Sequence, residues 1–439
     1  MTKTDLIIIG GGPGGYGAAG YAARLGLDVI VIEQASVGGT CLNVGCIPTK
    51  TWSHEADILR ARRTADPTAT IDFQRVRRRQ QEVIEQLRNG VETLLSAPSI
   101  RLVKGKAHFI DAHTVATDEE TFEAKHIIIA TGSEAKMPPI AITDTQRVMT
   151  STELLAIDHV PESLVIIGAG VIGMEFASIF QTFGSKVTVI EYLKECLPTL
   201  DSDIAKRLRK SMEKRGIDFH MQAGVTAITA NGVTFERKGK QQTVSAEAIL
   251  IATGRKPCLE NLRLEAAGIA FTAKGITVDE QMRTSCQGIY AIGDVNGQTM
   301  LAHAASMQAI IAVNNILGRT DHIDLSIMPS AIFTYPEAAS VGLSEDFCEA
   351  KGMEYTCRKG FFRANGKAMA MEETEGMVKL IADSDGKVVG CHAFGAHSAD
   401  MIQEISSLMC MGVTIEQLRD MVHIHPTLGE ILHDTSMIS

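Results

Sequence analysis

Two cysteines stand five positions apart in GGTCLNVGCIPTK, residues 38–50, and two histidines precede a proline and a glutamate in HIHPTLGE, residues 423–430. A thiolate can be a nucleophile, a metal ligand or half of a disulfide. An imidazole held by a carboxylate can move protons near neutral pH. From residue types alone, Cys41 and Cys46 could form a staple, half of a zinc site completed by His423 and His425, two reduced thiols in a helix, or a redox dithiol. Residues five apart in a regular helix lie roughly 8 to 9 Å apart at Cα. A disulfide tolerates at most about 7 Å. A Cys41–Cys46 bond therefore requires a distorted helix, and Gly45 and Pro48 both favour one. So short a loop adds little stability and exchanges readily. In the second stretch Pro426 suits the first position of a helix, which would put Glu430 about one turn in and able to fold back on His425. His423 is read as structural.

These side chains need a frame, and the chain writes one frame twice. LIIIGGGPGGYGAAGYAARLGLDVIVIE starts at Leu6 and LVIIGAGVIGMEFASIFQTFGSKVTVIE at Leu164. Each is an apolar β-branched run, a G-x-G-x-x-G turn, a helix-period segment and a second apolar run ending on an acid. Gly10, Gly12, Gly14 and Gly15, and in the second copy Gly168, Gly170 and Gly173, permit the tight turn, the close approach of a pyrophosphate and the packing of helix on strand. Helix N-terminal amides then face the phosphates. Glu33 and Glu191 stand where a carboxylate receives ribose hydroxyls, which predicts two dinucleotide sites. A carboxylate at Glu191 repels a 2′-phosphate, and the following YLKECLPTL holds one lysine and no arginine, so NAD is favoured over NADP. IIIATGS and ILIATGR, carrying Thr131, Gly132 and Gly254, return the chain from each unit. GIYAIGDV ends a further strand at Gly293 and Asp294, where an acid could hold a chain of hydroxyls.

A chain of 439 residues predicts two to four domains, each with ample apolar surface. Nine cysteines scattered along it are not a secreted disulfide framework. The N-terminus lacks the pattern of a secretory signal, and no apolar run reaches the roughly 18 to 20 residues that span a bilayer. A soluble, cytoplasmic protein is expected. Net charge of −10 argues against nucleic acid as a partner. The arginines of 60–63 and 75–79 are expected to coat the outer faces of helices.

The motifs GGGPGG, GGTCLNVGCIPTK, GAGVIGMEF, ATGRKP, AIGDV, LAHAA, FTYPEAASVGL and HIHPTLGE occur in this order along nearly the whole chain. The sequence resembles the FAD-dependent pyridine nucleotide-disulfide oxidoreductases. The resemblance implies an α/β protein with two Rossmann-like dinucleotide-binding domains and a C-terminal α+β dimerisation domain. The implied layout is an FAD domain at 1–147, an inserted NAD domain at 148–255, the FAD and central domain resumed at 256–322, and the dimerisation domain at 323–439. FAD then sits on the first fingerprint and NAD on the second. By the same resemblance Cys41 is the interchange thiol, Cys46 the thiolate against the flavin, and Lys50 with Glu175 the pair beside flavin N5. Thr40, Asp294 and the segment Leu301, Ala302 and His303 also meet FAD. His425 and Glu430 form a dyad delivered by the other subunit of a homodimer. No metal is implied. The activity implied is oxidation of dihydrolipoamide carried on a lipoyl-bearing protein of a 2-oxoacid dehydrogenase complex or glycine cleavage system, which must be a separate chain because nothing of lipoyl type precedes residue 5. The alternatives within the group are reductases of glutathione or mercuric ion; outside it, a flavin-binding electron-transfer subunit without turnover of its own. The sequence departs from the group's pattern at Gly429, where serine or a similar residue is usual.

Overall fold

The computed structural model describes every residue except Thr145 and Ser439. Strand β1 (Thr2–Ile9) runs through the middle of the first sheet, and its Leu6, Ile7 and Ile8 are fully buried. An unbroken apolar run is what a strand covered on both faces requires. Helix α1 (Pro13–Arg24) follows, with Pro13 at its start and a buried face of Gly14, Gly15, Ala18, Ala19 and Ala22. Strand β2 (Val29–Glu33) pairs parallel with β1, and β3 (Ile100–Lys104) lies parallel outside β2. The strand Thr121–Ile129 takes the other side of β1, and Ile289–Ala291 pairs parallel with it. The chain thus leaves this sheet at residue 129 and rejoins it only at residue 289.

The excursion builds a second parallel sheet. Its strands, in spatial order, are Asp218–Met221, Lys186–Glu191, Ser163–Ile167, Ala248–Ile251 and Val148–Met149. The nucleotide-type turn follows Ser163–Ile167 just as the first follows β1, so both cradles open at the C-terminal ends of parallel strands, where such sheets bind ligands. A third, antiparallel sheet joins Ser330–Ile332, Ala338–Gly342, Val388–Phe394, Met377–Asp383 and Tyr355–Phe361. Its core of Val378, Leu380, Ile402, Ile405 and Leu432 is closed by the helices Ser398–Cys410 and Glu430–Met437. The fold is α/β with two Rossmann-like units and a C-terminal α+β unit.

Helices α2 (Gly39–Val44) and α3 (Cys46–Ala65) carry the cysteines. Along α3, Trp52, Ala56 and Leu59 are buried in one cluster with Phe73 of α4 (Phe73–Leu95) and with Phe176, Phe180 and Phe183 of the helix Val171–Phe183 in the second unit. The Trp52 ring lies 5.2 Å from Phe73 and 5.9 Å from Phe180, both edge-on, and its indole N–H donates to Gln80 at 2.8 Å. Each phenylalanine buried in such a cluster contributes roughly 1.5–3 kcal/mol. Ile332, Ala338, Met377 and Phe394 of the third unit complete the same core.

Two expectations need correction. The arginine runs are not only a surface coat. Arg78 and Arg79 are exposed, but Arg60 reaches Thr182 at 2.9 Å and lies 4.1 Å over the Tyr335 ring, and Arg63 donates to the Thr182 carbonyl at 2.6 Å. Arg75 pairs with the buried carboxylate of Glu55. Arg60 and Arg63 tie α3 to the other units, and Arg75 ties α4 to α3. Nor does Pro426 open a helix: residues 426–429 are irregular, with bends and one turn residue, and Glu430 is the first residue of the last helix. The turn is held by Glu430 itself, whose carboxylate accepts the Thr427 N–H at 2.8 Å.

Candidate active site

One cleft of about 2990 Å³ runs between the three units and is lined by both glycine cradles, both cysteines, Thr40, Lys50, Glu175, Asp294 and the start of the helix Ala302–Ile316. A single drug-sized ligand needs about 300–1,000 Å³, so the cleft has room for more than one.

The two cradles match atom for atom. Gly10 has φ +108° and Gly168 φ +107°, a backbone region that a side chain disfavours. A Cβ on Gly15 would stand 1.8 Å from the Gly10 carbonyl oxygen, and one on Gly173 would stand 2.0 Å from that of Gly168. Each terminal acid is clasped the same way. Glu33 accepts the N–H groups of Gly11 at 2.7 Å and Ala35 at 2.8 Å; Glu191 accepts those of Ala169 at 2.6 Å and Leu193 at 2.7 Å. Both carboxylates are fixed before any ligand arrives. The first cradle fits a dinucleotide further in that a Cβ on Gly39 would stand 2.7 Å from Gly12 Cα, so only glycines let α2 approach the turn. Asp294 lies in the turn after Ile289–Ala291, where the Ser133 hydroxyl donates to it and Arg255 Nε stands 3.9 Å away. Leu301 precedes the helix Ala302–Ile316, and His303 meets the Pro329 carbonyl at 2.8 Å. Thr131 donates to the Cys258 carbonyl at 2.9 Å, and Gly132 and Gly254 both have positive φ.

Between Cys41 and Cys46 the helix breaks. Gly45 adopts φ −142°, ψ −113°, and a Cβ there would press within 2.8 Å of the Thr40 carbonyl oxygen. Both thiols are free. The Cys41–Cys46 hydrogen bond and burial raise the Cys41 thiol above its ordinary range. The same hydrogen bond, aided by the ammonium of Lys50 and opposed by burial and Glu175, lowers Cys46 to about 6. Lys50 Nζ donates to both oxygens of the buried Glu175, at 2.9 and 2.7 Å. The Phe333 N–H also donates to Glu175, at 3.0 Å, and its ring lies 4.8 Å from Lys50 Nζ. Ser133, Arg255 and Phe333 were not singled out from the sequence, although each lay inside a quoted motif: Ser133 ends IIIATGS, Arg255 ends ILIATGR, and Phe333 opens FTYPE.

His425 and Glu430 stand apart from the cleft of their own chain. The His425 Nδ1 lies 2.9 Å from Glu430 Oε1, and the ring is 81% exposed. The Thr427 N–H, then His425, lowers the Glu430 carboxyl below its ordinary value. The Glu430 contact assigns Nδ1 as the protonated nitrogen of a neutral ring and leaves Nε2 open to a substrate. His423, by contrast, is 10% exposed and meets Glu404 at 3.0 Å. A Cβ on Gly429 would meet only ordinary contacts, at 3.6 Å or more. Among the described residues no group of three or more His, Cys, Asp or Glu side chains is placed to hold a metal ion, and no helix is long and apolar enough to cross a membrane.

The sequence pattern described as pyridine nucleotide-disulphide oxidoreductase matches residues 4–309, and the dimerisation domain of the same group matches residues 328–436. The chain is 37% identical to a dihydrolipoyl dehydrogenase of Bacillus subtilis (strain 168), covering 100% of this chain and 96% of that protein. It is 35% identical to a mitochondrial dihydrolipoyl dehydrogenase of Pisum sativum, covering 99% and 91%. Among solved structures, the HOCl-induced flavoprotein disulfide reductase RclA from Escherichia coli superposes with a TM-score of 0.89 at 33% identity over 99% of both chains.

Proposed function

This chain belongs to the pyridine nucleotide-disulphide oxidoreductases and is an FAD- and NAD-dependent enzyme; from that premise we propose that it oxidises protein-bound dihydrolipoamide to lipoamide. The observation that carries the reading is the dithiol itself, with Cys46 lowered to about 6 beside the Lys50–Glu175 pair, in the cleft that joins two nucleotide cradles. The first cradle, with Thr40, Asp294 and Leu301 to His303, would hold FAD; the second would hold NAD. FAD, when bound, supplies the two-electron relay between thiol and nicotinamide.

The protein's own groups do the rest. His425 of the second copy, oriented by Glu430, takes a proton from the substrate thiol, whose sulfur attacks Cys41 of the oxidised pair, breaking the Cys41–Cys46 bond and releasing Cys46 as thiolate. The substrate's second thiol then displaces Cys41, leaving lipoamide and the Cys41–Cys46 dithiol. Lys50, held by Glu175, keeps Cys46 ionised and places positive charge beside the relay. Glu191, fixed by two backbone N–H groups, accepts ribose hydroxyls and repels a 2′-phosphate, which favours NAD over NADP. We place the functional units at 1–147, 148–255, 256–322 and 323–439, in a homodimer, and the work in the cytoplasm, where thiols stay reduced. The partner is a lipoyl-bearing protein of a 2-oxoacid dehydrogenase complex or glycine cleavage system.

The test is anaerobic mixing of the purified holoenzyme with dihydrolipoamide and then NAD. Loss of flavin absorbance followed by appearance of NADH is expected; an unchanged flavin spectrum would sink the reading. A second reading, reduction of a disulfide substrate by NADH, draws on the likeness to the E. coli reductase. It uses the same pair in reverse, and faster turnover of NADH with a disulfide than of NAD with the dithiol would favour it.

A further inference from the structure

The second cradle is bordered by the loop 192–201, whose Tyr192, Lys194, Pro198, Thr199 and Leu200 line the cleft. At its middle the loop is tied to the glycine turn, where the Leu197 N–H donates to the Ala169 carbonyl at 3.0 Å. At its end it is tied to the third unit. Asp201, 0% exposed, caps the helix Ser202–Lys214 by accepting the Asp203 N–H at 3.1 Å. The same carboxylate receives Lys379 Nζ at 2.7 Å on each oxygen and the Glu345 N–H at 3.1 Å. In return Asp346 accepts the Ser202 N–H at 2.7 Å. Two helices from different units, Ser202–Lys214 and Glu345–Lys351, thus cap each other's first turns. Lys379, 1% exposed, sits between them with Glu345 Oε2 at 2.6 Å, and the Asp201 N–H donates to His392 Nδ1 at 3.2 Å.

Burial alone would lower the Lys379 ammonium, but Asp201 and Glu345 outweigh it and hold it above its ordinary value. Apolar side chains of similar size often stabilise as well as a buried ion set, which instead demands one geometry. We propose that Lys379 is a positioning residue for the nucleotide half of the reaction: by fixing Asp201 from the third unit, it holds the 192–201 loop in the shape that binds NAD. The inference rests on the assignment of NAD to the second cradle. The Lys379 ammonium bonds to Asp201 and Glu345, neither of which lies on α2 or α3, the helices that carry Cys41 and Cys46.

The experiment compares wild-type holoenzyme with Lys379→Met by three readouts: calorimetric binding of NAD, KM and kcat for each substrate, and the rate at which dihydrolipoamide bleaches the flavin. Expected is a rise of about tenfold in the dissociation constant and KM for NAD, with the bleaching rate unchanged. A single variant leaves Asp201 buried without its cation and can misfold. Lys379→Met/Asp201→Asn removes both charges and carries the test in that case. NAD binding within twofold of wild type in a folded variant overturns the proposal, as does a parallel loss in the bleaching rate, which would mark a general structural role. Wild-type enzyme that is bleached by dihydrolipoamide yet binds no NAD would instead overturn the cofactor assignment on which the proposal stands.

Discussion

Cys46 is lowered to about 6, against an ordinary thiol value of 9.0, by its hydrogen bond from Cys41 and then by Lys50. Because the folded value lies below the ordinary one, the thiolate persists as pH falls from neutrality and is lost only as pH passes through about 6. Lys50→Met removes a charge that lowers it, so protonation must move to higher pH. The pH profile of alkylation of the reduced protein measures this directly, and a profile that does not move would remove Lys50 from the account. His425→Gln tests the other end of the proton path. Loss of a general base costs about 10²–10⁴-fold in dithiol oxidation, with flavin content unchanged; undiminished turnover would exclude the ring as base. Both cysteines and both dyad members could be read from the sequence because their flanking residues are local. Phe333 could not, because its contact with Glu175 and Lys50 is made by three segments far apart in the chain.

At the scale of elements the duplicated cradle makes a paired test. Alanine at Gly15 or Gly173 drives a methyl group into the carbonyl of the first glycine of its own turn. Gly15→Ala is expected to yield protein that purifies without flavin. Gly173→Ala should keep its flavin, bleach normally with dihydrolipoamide, and fail to produce NADH; the reverse pattern would exchange the two sites. Strand, turn, helix and acid follow one another within each copy, so this much of the fold was legible in local periodicity. The start of the last helix was not. Proline statistics favour Pro426, but Glu430 spends its carboxylate on Thr427 and His425, and that contact decides where the helix begins. Arg60 and Arg63 misled for a similar reason: a run of charge does not reveal that another unit covers it.

The whole molecule presents Val422 and Ile424 at 100 and 79% exposure, next in the chain to the exposed ring of His425, and Met411 at 84%. Large apolar side chains left in the open suit a face that a second copy covers, in keeping with the match to a dimerisation domain. Ile424→Asp is expected to weaken self-association about tenfold or more, and turnover should fall in step with the dimer fraction seen by sedimentation. Full turnover from a monomer would show that His425 serves its own chain. Which copy supplies the base is written in no single sequence segment, since it depends on two chains meeting. One further consequence lies in the aromatic core shared by all three units. Trp52 is the only tryptophan among 439 residues, and it is fully buried on the helix that begins at Cys46. The enzyme therefore carries one indole fluorophore at the junction of its units, and its emission, free of any competing indole, can time the moment at which that junction closes during folding of the flavin-free chain.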